Sequence, residues 1–89
     1  MLVLPAELTH EQAPACVRML AQALRADAAP TVVGDAGALS HFDSSALAVL
    51  LDVRREALSL GKTFAVAHMP PRLRELASVY GVAELLPAP

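Results

Sequence analysis

Phe42-Asp43-Ser44-Ser45-Ala46-Leu47 is where the 89-residue chain concentrates residues that could do chemistry. An acid and two hydroxyls stand directly before an apolar stretch with helical spacing. Asp43 sits where a helix cap belongs. The side-chain oxygens of Ser44 and Ser45 can also take the backbone N–H groups that a helix leaves free at its start. The same physics offers a second use. A phosphate on either serine would be held by those amides and the helix dipole, and would add about −1.5 to −2 charge to a partner-facing surface. Both uses stay open on the residues alone.

Little else in the chain suggests catalysis. There is no Gly-rich phosphate loop, no HExxH, no GxSxG and no Cys/His nucleophile pair. Asp43 and Asp52 are no acid/base pair, because nine steps along one helix separate them by about 13 Å. One cysteine, Cys16, and three dispersed histidines, His10, His41 and His68, fail every metal-ligand spacing, so neither metal nor cofactor is expected. Cys16 reads as a small buried hydrophobe. His41 and His68 flank element ends and read as solvated loop residues. Tyr80 is expected to lay its ring on the core with its hydroxyl at the edge. Arg72, Arg74 and Glu75 read as a solvated helix face, with a docking contact for an acidic partner as the other option.

Composition narrows the class further. Hydrophobic residues make up 55% of the chain and charged residues 18%, which excludes intrinsic disorder. A net charge of −2 and three scattered aromatics, Phe42, Phe64 and Tyr80, argue against a nucleic-acid surface. The longest apolar run, Ala46–Leu51, falls far short of the ~20 residues a bilayer span needs. Met1-Leu2-Val3-Leu4-Pro5 lacks the basic start and cleavage site of a signal peptide. The lone cysteine favours a reducing compartment, and the chain reads as cytoplasmic.

The elements that must position Asp43 and the serines follow from periodicity. Leu2-Val3-Leu4 reads as a short strand ended by Pro5. Thr9 and Gln12 have capping-box spacing before a helix that carries Ala13, Val17, Leu20, Ala21 and Leu24 and ends at Asp27–Pro30. Thr31-Val32-Val33 is a second strand. Ser44–Leu60 is a second helix, with Ala46, Leu47, Leu50, Leu51, Val53, Ala57 and Leu58 spread over one broad face and Gly61 as its stop. Thr63–Ala67 is a third strand, and Leu73, Leu76, Ala77 and Tyr80 mark a third helix. The order β-α-β-α-β-α predicts helices packed on a small sheet within one domain, residues 1–89. At 100° per residue, Ser45, Ala48, Val49, Asp52 and Ser59 lie opposite Leu47, Leu50, Ala57 and Leu58. Ala48 and Val49 are therefore expected on an outward face that a partner groove would cover.

Phe42-Asp43-Ser44-Ser45-Ala46-Leu47-Ala48-Val49-Leu50-Leu51 resembles the (V/I/F)-D-(S/T)-(S/G/A)-(G/A)-L-x-x-L-L signature of STAS domains. Leu4-Pro5-Ala6-Glu7-Leu8-Thr9 is similar to the family's L-x-G-E-L-(T/D) strand exit, and Gly61–Val66 to its G-x-x-(L/F)-x-(V/L) strand. Leu76–Pro87 is similar to the L-A-x-L-Y-x-L-x-x-x-L-P ending of MlaB-like members, accessory subunits of a phospholipid-transporting ABC complex. The resemblance implies a non-catalytic protein that binds the ATPase subunit, with the permease in the assembled complex, and supports outer-membrane lipid asymmetry. It implies a location peripheral to the inner membrane through that complex. It also implies ATPase docking at the hydroxyl directly after the aspartate, here Ser44. In anti-sigma factor antagonists the phosphorylated position is the next one, here Ser45, so a switch worked by a serine kinase is the alternative, with phosphate on Ser45 or Ser44. The expected partner surface is Ser44, Ser45, Ala48, Val49 and Asp52.

Against the family pattern, Ala6 and Ala46 replace glycines, and the N-terminal edge strand is short or missing. That leaves an exposed sheet edge open to homodimerisation or to strand addition by a partner.

Overall fold

A computed structural model of the chain describes residues 1–89. Apolar β-branched and small residues form three parallel strands: β1 (Leu2–Val3), β3 (Thr31–Asp35) and β5 (Thr63–Ala67), in the order β1-β3-β5. The register places Leu2 opposite Gly34 and Val32 opposite Phe64. Two further strands, β2 (Glu7–Leu8) and β4 (His41–Phe42), pair in parallel as a separate ribbon. Sequence periodicity does not reveal these two-residue pieces, since two positions cannot show alternation.

Parallel neighbours need long crossovers, and these are right-handed almost without exception. Strands added always in the same direction therefore place their crossover helices on one face. The helices α1 (Ala13–Ala26) and α2 (Ser45–Ser59) pack against each other accordingly. Leu2, Val32, Phe64 and Val66 point into the core with Leu20, Leu24, Leu50 and Val53. On the opposite sheet face Val3 is 62% exposed, and Ala65 and Ala67 stay outside the core cluster. Gly34 sits where the core face is tightest: a Cβ there would lie 3.0 Å from the Phe64 ring.

Helix ends follow local chemistry. Gln12 accepts the Thr9 backbone N–H on its side-chain carbonyl at 2.8 Å, one half of a capping box. Both α2 and α3 (Pro71–Val79) end on glycines in the left-handed region, Gly61 at φ 72° and Gly81 at φ 74°. In each case the glycine N–H and the next N–H return to the last turn: Gly61 to Leu58 and Lys62 to Ala57, Gly81 to Ser78 and Val82 to Ala77. A 3₁₀ turn over Ala83–Leu85 follows, Leu86 is fully buried, and the Val66 N–H donates to the Pro87 carbonyl at 2.8 Å. The tail thus covers part of the outer edge of β5.

Three sequence expectations are corrected here. Val49 is 1% exposed and belongs to the core rather than to an outward face. Leu58, expected on the buried face, is exposed, and so is the Tyr80 ring. For Val49 and Leu58 the cause is one rotation of α2. The buried arc of α2 is centred on Ala46, Val53 and Ala57, roughly 55° from the mean direction of the broad apolar face that the sequence suggests, and Leu58 lies beyond its edge. α1 sets that rotation by packing on the Val49–Val53 flank, where Arg25 of α1 reaches Glu56 of α2 at 3.0 Å.

Candidate functional site

Asp43 is the anchor of the site. It follows β4 and precedes α2, and its Oδ1 accepts the Ser45 backbone N–H at 2.8 Å. Its other oxygen accepts the His10 backbone N–H at 3.2 Å, so one carboxylate ties the start of α2 to the loop before α1. The Ser45 N–H, assisted by the Ser45 hydroxyl and the His10 amide, holds the Asp43 carboxyl below the usual range. Neither serine caps the helix: Ser44 occupies the cap position without a side-chain cap bond, and Asp43 does the work expected of the hydroxyls. The cap is already filled, which leaves the Ser44 hydroxyl for other partners, while the Ser45 hydroxyl supports the Asp43 carboxylate.

The two serines then diverge. Helical geometry sets Ser44, Ala48, Leu51 and Arg55 along one line of α2, at intervals of four, three and four residues. Ser44, Leu47, Ala48 and Leu51 form one wall of an open groove of about 470 Å³, and Tyr80 and Val82, just beyond α3, form the other. Ser45 lies about 100° around the helix beside Asp43 and does not line the groove. Beyond the groove, Val79 is 81% exposed, which extends the apolar surface. Asp52 and Arg55 pair across solvent at 3.6 Å on the exposed side of α2.

Of the expected partner residues, the groove therefore gathers Ser44 and Ala48. Asp52 and Ser45 stand outside it, and Val49 is removed by burial. Sequence reasoning missed Leu47, Leu51, Tyr80 and Val82 as residues of the site. The Schellman ending at Gly81 is the signal that could have found the last two, since it fixes where the chain turns after α3. It also missed the role of Arg72, whose guanidinium lies 5.1 Å from the centre of the Phe42 ring and ties α3 to β4 beside the site.

Other surface features are less site-like. A hollow of about 530 Å³ on α1 is walled by Val17, Arg18, Met19, Ala21, Gln22 and Arg25 alone, so it is relief on one helix rather than a cleft between elements. No three His, Cys, Asp or Glu side chains converge as a metal site would require. Cys16 is buried, and that burial pushes its thiol pKa up, away from the reactive thiolate.

Residues 1–87 match the family model described as Mlab, STAS domain. The chain belongs to the STAS-domain family. Among solved structures, this STAS domain is similar to the anti-sigma factor antagonist SpoIIAA in its unphosphorylated form. The TM-score is 0.75 and the identity 21%, over 98% of this chain and 76% of that one. No curated protein matches the sequence. The STAS fold therefore stands on both comparisons, as a mixed α/β domain with parallel strands and three helices. Its family is one of regulators and accessory proteins that act by binding other proteins, and no enzyme family is indicated.

Proposed function

We propose that this protein, as one STAS unit over residues 1–89, is a non-catalytic accessory subunit of an ABC phospholipid transporter. It docks on the ATPase subunit through the α2–α3 groove and supports the assembled ATPase–permease complex, and so outer-membrane lipid asymmetry. The observation that carries this reading is the open apolar groove with the exposed Ser44 at its end, in a chain whose family model is described as Mlab. The groove suits such docking because its walls are apolar while the Ser44 hydroxyl adds a directional hydrogen bond. No helix is long and apolar enough to cross a membrane, so contact with the inner membrane would be peripheral, through the complex.

The second reading is a switch in which a kinase phosphorylates a serine and the added charge displaces a regulatory partner. What favours it is that the Asp43 carboxylate caps α2, leaving the exposed Ser44 hydroxyl uncommitted to the helix. The discriminating experiment purifies the tagged protein from its native host and identifies both partners and phosphopeptides. An ABC ATPase and permease bound to protein with unmodified serines is the expected result. A serine kinase with phosphate on Ser44 or Ser45 would replace the transport reading with the switch.

A further inference from the structure

Each of the three histidines lies near a carboxylate, but the pairs are not equivalent. His10 is 3.7 Å from Asp43 and His41 is 3.8 Å from Glu7, both between exposed side chains. His68 alone is within hydrogen-bond distance, with Nδ1 3.1 Å from Asp35 Oδ1. It is also the one non-glycine residue in the left-handed region, at φ 57°. Such a conformation costs energy in a residue with a side chain and persists where the surroundings hold it. Here the holder is Asp35. Asp35 Oδ1 accepts both the Gly37 N–H, at 2.9 Å, and His68, and a Cβ on Gly37 would press on both partners.

We infer that the Asp35–His68 contact is a pH-sensitive clasp on the connection between β5 and α3. The connection is short: His68, Met69 and Pro70 separate β5 from the first residue of α3. Asp35, on β3, is the charged group that faces the imidazole. Gly37 contributes only its N–H, and Arg72 of α3 is engaged with Phe42. Imidazoles as a class change charge between about pH 5 and 8. Protonated His68 donates a charge-assisted bond to Asp35, whereas neutral His68 keeps at most an uncharged one. Losing the charge frees the strained backbone to relax and loosens the first turn of α3. The clasp is testable without any partner, so it stands or falls apart from the docking reading.

The amides of Leu73 and Arg74, which both donate to the Pro70 carbonyl at 3.0 Å, are natural reporters. In the isolated full chain, their hydrogen exchange should accelerate about threefold from roughly pH 6 to pH 8, after correction for intrinsic exchange. His68→Asn retains a residue that tolerates left-handed backbone but does not titrate. It should abolish the acceleration, as should Asp35→Asn, while His10→Gln and His41→Gln should leave it intact. A flat wild-type profile, or acceleration that survives both His68→Asn and Asp35→Asn, would overturn the clasp. So would its loss in the His10 or His41 variant.

Discussion

The two flanks of α2 have similar residues and opposite fates. Toward α1, Ala46, Val49 and Val53 are sealed in the core, and the Arg25–Glu56 pair closes the seam. Toward the end of α3, Ala48 and Leu51 line a groove that no part of the chain fills. Val49 and Ala48 are sequence neighbours and both apolar, yet one is 1% exposed and the other open to solvent. A step of 100° around one helix separates a residue that holds the fold from one that is free to hold a partner. Hydrophobicity does not make that distinction; the position of the neighbouring helix does.

The hardest test of this contrast is Val49→Arg. A guanidinium forced into the buried Val49 position would sit among apolar core neighbours, with the nearby Glu56 carboxylate already engaged by Arg25, and burying an unpaired charge is among the most destabilising single changes. A loss of about 4 kcal/mol or more is expected, enough to unfold much of a domain this small. Urea unfolding followed by circular dichroism would read it directly. A cooperative transition near the wild-type midpoint would mean that Val49 does not belong to the core.

The mirror experiment is Ala48→Arg, one residue and one flank away. The guanidinium would project into the groove and solvent, so stability should stay within about 0.5 kcal/mol of wild type. Binding to the ATPase partner should fall by about a hundredfold or more, as expected when a large charged group fills the centre of an apolar contact. Titration calorimetry with the purified partner separates the two effects. Unaltered affinity would remove the groove from the docking surface while leaving the core assignment of Val49 untouched.

Ser44→Ala and Ser45→Ala sharpen the comparison at the helix start. Neither hydroxyl caps α2, so neither change should move the unfolding midpoint by more than about 0.5 kcal/mol. Their binding should differ. Ser44, on the groove line, is expected to lose about tenfold in partner affinity, the worth of a good interfacial hydrogen bond. Ser45 is expected to lose almost nothing. Equal losses in both variants would show that the partner reads the whole helix end rather than the groove.

Much of the fold is legible in the sequence. The strand Thr63–Ala67 is recovered to the residue, because four consecutive apolar side chains between a glycine stop and a Met-Pro-Pro break admit little else. The second and third helices are recovered within two residues, with Gly61 and Gly81 as their stops, whereas α1 is capped at Gln12, three residues beyond the Thr9 cap that the capping-box spacing suggests. The signature around Asp43 was legible as a family pattern. The facing of α2 was not. Its apolar residues cover more than half the helix circumference, so periodicity alone leaves the buried arc free to rotate, and α1 decides. The other wall of the groove was equally hidden, since Tyr80 in sequence looks like a core aromatic and turns outward only because Gly81 ends the helix there.

Asp43 offers the smallest effect and the one that tests how the helix start is shared between acid and hydroxyl. Its carboxyl is held below the ordinary range, chiefly by the Ser45 N–H, so the ionised form is favoured in the folded protein. Its contribution is therefore complete above the unfolded-state value of about 3.9 and is lost as pH falls through the lower folded value. Asp35 is shifted in the same direction, chiefly by the Gly37 N–H, so acid destabilisation has at least two sources. Asp43→Asn keeps an oxygen able to accept the Ser45 N–H but removes the titrating charge. A small drop in the urea midpoint at neutral pH and a shallower decline below about pH 4 are expected, with the remaining decline left to Asp35. A second substitution, Ser45→Ala in the Asp43→Asn background, should then matter more than it does alone, because the serine hydroxyl becomes the nearest substitute for the missing charge. If the two changes instead add without coupling, the Ser45 oxygen plays no part in the cap even when the carboxylate is gone, and the division of labour between acid and hydroxyl is complete.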